Sequence, residues 1–187
     1  MKEFEQNVNY YLITFTISIS LNKSVCRISF LILVYRVVNC GERQYAVAPI
    51  NLVNYTKLTV IFIGRAKFTY NPGIVLYDKK LNLEKNDQEN QIYGILLSWD
   101  GKLWVRTPTQ TWYEKSSIPR FTEGIYTVTF SKSQNGKVKI DYVSINRESS
   151  KIDITSEMSW DDVGYVGIRT DYRGNEIYTL GLYAQLE

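Results

Sequence analysis

Trp99, Trp104, Trp112 and Tyr113 fall within one short stretch, and Lys102 and Arg106 lie between them. Residues of these types can bind sugars. An aromatic face stacks on a sugar ring, and a neighbouring cation fixes the ring's orientation. The competing reading is packing, because aromatic side chains also favour half-buried pleated strands. In that case Trp104 belongs to a second layer of core covered by the N-terminal segment. Trp112 and Tyr113 precede a polar stretch and are the pair expected at the surface.

Other chemistry is poorly supplied. The chain has no histidine, which removes the commonest general base, the Ser-His-Asp and Cys-His arrangements, and histidine-containing zinc sites. Two cysteines, Cys26 and Cys40, cannot complete a four-thiolate zinc site. They form a disulfide or remain two thiols; geometry decides, and spacing does not. Asp161-Asp162, beside Trp160, offers oxygens suited to calcium, but such a site needs about six ligands and no set assembles. A solvated acidic turn is the simpler account, and the same holds for Asp78, Glu84, Asp87 and Glu89. No metal and no cofactor are expected. The net charge of +3 is spread among interspersed acids and bases, without the basic block that nucleic acid would require. Asn22-Lys23-Ser24 and Asn54-Tyr55-Thr56 match the N-glycosylation pattern, which is frequent by chance.

The elements that position these residues read as strands throughout. Ile92 to Trp99, Asp100-Gly101, and Lys102 to Thr107 read as a hairpin with a two-residue turn, since Asp-Gly suits positive φ at both central positions. That turn pairs Trp99 with Lys102, Leu97 with Trp104, Leu96 with Val105 and Ile95 with Arg106. It groups Trp99, Lys102, Trp104 and Arg106 on one face and assigns Leu103 and Val105 to the core. Ile125 to Ser133, Gln134-Asn135-Gly136, and Lys137 to Ile145 form a second hairpin with a three-residue bulged turn. There Phe130 is expected opposite Ile140, Val128 opposite Tyr142, and Thr129 facing Asp141. Lys57 to Phe68 alternates with Leu58, Val60 and Phe62 on one face, and Ile74 to Tyr77 is a short strand after Asn71-Pro72-Gly73. Lys79 to Gln91 reads as a long exposed loop. Val163 to Thr170 and Ile177 to Leu186 close the chain, and Glu148 to Ser159 has room for a turn of helix. Short strands with regular turn signals predict an all-β sandwich or barrel.

Residues 1–44 read differently from residues 45–187. Ile13, Phe15, Ile17, Ile19 and Leu21 alternate with threonine and serine, the period of a half-buried strand. The apolar run from Ile28 to Val38 is shorter than the roughly 18 residues of a spanning helix. A β-hairpin or anchor is the favoured reading. A signal-like segment ending near Val37-Val38-Asn39-Cys40 is the second, and a reading frame extended upstream of the true start is the third.

Lys57 to Phe62, Pro72 to Leu76, Tyr93-Gly94-Ile95-Leu96-Leu97 with Asp100-Gly101-Lys102-Leu103, Glu123 to Phe130, and Tyr165-Val166-Gly167-Ile168 followed by Tyr178 to Leu186 come in a telling order. From about Tyr45 to Glu187 the chain resembles the concanavalin A-like lectin and glucanase superfamily, especially its laminin G-like and pentraxin-like branch. The resemblance implies a two-sheet antiparallel jelly-roll sandwich, with ligands meeting the concave sheet or its rim. Two departures narrow the function. Where the glucanases carry Glu-x-Asp-x-x-Glu, this chain has Lys151-Ile152-Asp153-Ile154-Thr155-Ser156-Glu157, with lysine for the first acid and Glu157 displaced by one position. That stretch reads as a loop or edge segment, and an enzyme is not expected. The legume-lectin metal site uses a histidine that this chain lacks. The expectation is a non-catalytic carbohydrate-binding or adhesion module, extracellular or surface-associated, with a glycan or surface protein as partner. The alternative is a structural subunit of a filament, capsid or spike that self-associates through its N-terminal strands.

Overall fold

The computed structural model describes the backbone of residues 11–21, 24–34, 36–38, 44–67, 73–82, 94–99, 103–107, 112–115, 123–170 and 176–187, and the side chains of 47–65, 73–82, 104–107, 123–168 and 183–187. The N-terminal strands β1 (Tyr11–Leu21) and β2 (Ser24–Val34) pair with each other as a separate two-stranded antiparallel sheet, Leu21 opposite Ser24. That agrees with the period-two pattern read from Ile13 to Leu21.

The remaining strands are β3 (Arg36–Val38), β4 (Gln44–Pro49), β5 (Lys57–Lys67), β6 (Gly73–Asp78), β7 (Gly94–Trp99), β8 (Leu103–Arg106) and β9 (Trp112–Lys115). They continue with β10 (Glu123–Lys132), β11 (Lys137–Ile145), β12 (Glu148–Ser159), β13 (Val163–Thr170) and β14 (Glu176–Leu186). Sheet I runs β12-β11-β10-β5-β14-β3, and sheet II runs β4-β13-β6-β7-β8-β9. All the pairings are antiparallel, and the chain passes repeatedly from one sheet to the other. This is the expected all-β fold, a two-sheet antiparallel jelly-roll sandwich.

The core lies between the sheets and follows from strict alternation. Leu58, Val60 and Phe62 of β5 meet Tyr126, Val128 and Phe130 of β10, all fully buried, and from sheet II come Ile74, Leu76, Val105, Val166 and Ile168. Each such side chain contributes about 1.5–3 kcal/mol by leaving water. Burial pushes the Tyr126 phenol pKa up, so the ring sits in the core as a neutral group.

Four local expectations are corrected by that core. In the β7–β8 hairpin, Trp99 stands opposite Leu103, Ser98 opposite Trp104, Leu97 opposite Val105 and Leu96 opposite Arg106. The connection is therefore three residues long and not two; Asp100, Gly101 and Lys102 themselves lie outside the described residues. The reason is the core row. Ile74 pairs with Leu97, and Val105 must share their side of the sheet to be buried, whereas the two-residue turn would have set Trp104 in that row.

In the β10–β11 hairpin, Phe130 is opposite Ile140 as expected, but Thr129 is opposite Tyr142 and Val128 opposite Val143. Ile140 and Val143 are both buried although three positions apart, so Asp141 is extruded as a bulge to restore the alternation. The turn itself is as read, with Gly136 at φ +74. Residues 148–159 hold no helical turn. They form β12, the outer strand of sheet I, and the short 3-10 turn follows at Trp160–Asp162. The edge reading of Lys151 to Glu157 holds. Finally, Leu81 is buried against Val75 and Tyr77, not exposed with Lys79 and Lys80. The rest of that stretch, including Glu84, Asp87 and Glu89, lies outside the described residues.

Candidate functional site

β6 is buried on both sides, which explains its unbroken apolar run Ile74-Val75-Leu76-Tyr77. Ile74 and Leu76 belong to the main core, while Val75 and Tyr77 face the other way and join Leu81, Val47 and Tyr165 in a second, outer layer. Around β4, β6 and β13, sheet II therefore has an apolar outer face. The sequence already signalled it, because a strand with only one buried face would alternate.

The candidate aromatics meet the edge of this face. Val105 is buried in the main core, so Trp104 and Arg106, its neighbours in β8, belong to the outer side with Val75. Trp104 is half-buried, Arg106 is only 8% exposed, and Thr107 is fully buried. All three are engaged by neighbouring groups. A guanidinium withdrawn this far from water must be paired or hydrogen-bonded, so it is held in place and cannot sweep the surface. Across the β8–β9 ladder, Arg106 is opposite Trp112, Val105 opposite Tyr113, and Trp104 opposite Glu114.

The ladders sort five of the six candidate positions onto the two faces of the sheet. Positions 104, 106 and 112 share the outer row. Positions 99 and 113 register with Leu103 and Val105 in the other row. The face expected to carry Trp99, Lys102, Trp104 and Arg106 together is thus divided, and the single-residue shift of the hairpin is the cause. Lys102 lies outside the described residues, as do the side chains of Trp99, Trp112 and Tyr113.

The acidic candidates gather around the 3-10 turn. The Lys132 ammonium donates to both Asp161 carboxylate oxygens at 2.9 and 3.2 Å, and the Lys79 ammonium donates to the Asp161 carbonyl at 2.7 Å. The Asp78 carboxylate accepts from the Lys80 backbone N–H at 2.7 Å. These acids are tied up with lysines and backbone donors. Among the described residues, no group of three histidine, cysteine, aspartate or glutamate side chains is arranged to hold a metal ion.

The Asp78 pKa is raised, chiefly because burial disfavours its charge; nearby Asp162 adds to this, and Lys80 opposes it. The folded state therefore holds the proton more tightly than the unfolded chain does. The stability this gives is fully present below about pH 3.9 and is lost as pH rises through the folded value. Asp78→Asn keeps an acceptor for Lys80 and removes the charge. Its urea midpoint is expected to match wild type near about pH 3 and to exceed it near about pH 7.

No family model matches the chain. A stretch of 107 residues, 54% of this chain, is 29% identical to part of the putative transmembrane protein ORF1334 of Acidianus two-tailed virus, and spans only 8% of that protein's length. Among solved structures, lectin UEA-II complexed with galactose superposes with a TM-score of 0.48 at 11% identity, covering 98% of this chain and 94% of that one. Lectin II from Ulex europaeus does so with a TM-score of 0.47 at 10% identity and the same coverage. Among the described residues, no helix is long and apolar enough to cross a membrane.

Proposed function

We propose that this chain is a non-catalytic carbohydrate-binding or adhesion module displayed on a cell or virion surface. One observation carries the reading: Trp104 and the withdrawn Arg106 lie on the same face of β8, next to the outer strand β9 of sheet II, with position 112 directly across from Arg106. An indole beside a guanidinium of fixed direction suits a sugar ring, which needs one apolar face and a few directed hydrogen bonds. The likeness to a small part of a viral putative transmembrane protein fits display at a virion surface.

A glycan array probed with the full chain tests this. Wild type is expected to bind a defined glycan class, and Trp104→Ala and Trp112→Ala are each expected to weaken that binding about tenfold or more. Near-ultraviolet circular dichroism reports whether the variants keep their packing. An array without binding, or binding indifferent to both substitutions, would sink the proposal.

The second reading, a structural subunit, is favoured by the β1–β2 hairpin. Among the described residues β1 pairs only with β2, and an edge of that kind can take up another strand. Light scattering of the full chain at rising concentration separates the two, since a subunit of this kind grows into larger assemblies and a monovalent module does not.

A further inference from the structure

Asn54-Tyr55-Thr56 has the spacing of an N-glycosylation acceptor, and the fold gives the triplet what an acceptor needs. It lies in the segment between β4 and β5. There the Tyr55 N–H donates to the Leu52 carbonyl at 3.0 Å and closes a turn with Val53 and Asn54 at its corners. The asparagine side chain that supports this turn is that of Asn51, whose oxygen accepts from the Val53 N–H at 3.1 Å. The Asn54 carboxamide takes no part. It is exposed, and among the described residues it has no hydrogen-bond partner. Thr56 is exposed as well, and its hydroxyl has only a long contact of 3.5 Å to the Glu187 carbonyl. The asparagine of the other triplet, Asn22-Lys23-Ser24, lies outside the described residues.

We infer that Asn54 is an acceptor for an N-linked glycan, with a polyprenyl-diphosphate-linked oligosaccharide as co-substrate. In the transfer the carboxamide nitrogen bonds to C1 of the first sugar. The bond from C1 to the diphosphate oxygen breaks, the diphosphate leaves with that electron pair, and the nitrogen gives up one proton to the transferase. The order of synthesis favours this. Trp160 donates to the Leu52 and Tyr55 carbonyls, and Glu187 accepts from Thr56, across 105 to 131 residues of sequence. Until those residues are made, none of these ties holds the triplet back from a transferase. Once they are in place, the fold still admits the product. The glycan leaves from the corner of a turn beside Val53, which is 52% exposed, and displaces no core side chain. β4 and β8 are separated by three strands in sheet II, so this site is distinct from the Trp104 face. The inference rests on the surface-display part of the proposed function, because such transfer accompanies export. It does not rest on glycan binding.

The test supplies the transferase directly. The full chain is diluted from urea into a purified oligosaccharyltransferase with its lipid-linked oligosaccharide, so that transfer can precede folding. A short acceptor peptide in the same mixture verifies that the enzyme is active, and mass spectrometry of peptides locates the glycan. Wild type is expected to carry a glycan on Asn54. Asn54→Gln and Thr56→Ala are each expected to lose it, and Thr56→Ser to keep part of it. After refolding, the glycosylated chain and Asn54→Gln are expected to share one near-ultraviolet circular dichroism spectrum. An unmodified Asn54 beside a modified peptide overturns the proposal, and so does transfer to Asn22 alone. A glycosylated chain that fails to regain the spectrum, where Asn54→Gln regains it, overturns it too, because the fold then rejects the glycan. No export is involved, so a chain that is never displayed at a surface would still be modified here. A glycan array without binding speaks against the proposed function and leaves this result untouched.

Discussion

Trp160→Ala is expected to lower stability by about 4 kcal/mol, the upper range for deleting a large buried aromatic. For a chain of this size that corresponds to a fall in Tm of roughly 8–16 °C. Trp160 is fully buried where β12 gives way to β13, so its removal leaves a cavity between the sheets that neighbouring strands cannot close. The indole is also a cross-link. Its Nε1–H donates to the Leu52 carbonyl at 3.1 Å and to the Tyr55 carbonyl at 2.8 Å, tying the segment between β4 and β5 to the far end of β12. Trp160→Phe separates the two contributions. It keeps most of the apolar volume but leaves two carbonyls without that donor, and is expected to cost about 1–3 kcal/mol. Urea denaturation of both variants checks this. A loss below about 1 kcal/mol for the alanine variant would show that the site collapses freely.

The contrast between the two hairpins shows how far the chain could be read in advance. In β10–β11, Asn135-Gly136 marked the turn and the alternating residues marked the faces, so the pairing of Phe130 with Ile140 was legible. The bulge at Asp141 was not, because its cause is the joint burial of Ile140 and Val143 against another sheet. In β7–β8, Asp100-Gly101 located the turn correctly, yet the register was decided by Ile74, which pairs with Leu97 from a different strand. Local chemistry says where a chain reverses. The core says by how many residues, and a single-residue difference put positions 99 and 104, expected on one face, on opposite faces of the sheet.

The full length of β12 was not legible beyond the edge segment at Lys151 to Glu157, for a related reason. Its buried residues Ile152, Ser156 and Met158 are separated by charged ones, and Asp153 sits at φ +59, which breaks the regular pleat. That irregularity suits its place at the sheet edge, where a bulge and exposed charges deter pairing with another chain. The Lys139 ammonium, and to a lesser extent Lys151, lowers the Asp153 pKa, so the acid stays ionised beside them.

Gly124→Ala is the other substitution expected to be severe, at about 3 kcal/mol, and the reason is a contact between two residues that are distant in sequence. Gly124 has φ +117, a conformation that costs a residue with a Cβ about 1–3 kcal/mol. A Cβ there would also overlap the Asn146 carboxamide, which lies across the glycine. That carboxamide closes the end of the β10–β11 ladder. Its oxygen accepts from the Ile125 N–H at 2.9 Å, and its nitrogen donates to the Glu123 carbonyl at 2.8 Å. The Asn146 backbone N–H donates to the Ile125 carbonyl at 2.9 Å, and Asn146 itself has φ +48, which asparagine tolerates better than most residues. Glycine and asparagine therefore act as one unit, each requiring the other. Asn146→Ala alone is expected to cost about 2 kcal/mol through the lost hydrogen bonds and the strained turn. The double variant is expected to cost less than the sum of the two by about 1 kcal/mol or more, because removing the carboxamide removes the overlap. A thermodynamic cycle over the four proteins measures that difference. Strict additivity would mean that the glycine is needed for its backbone angle alone and that the carboxamide can swing aside without cost.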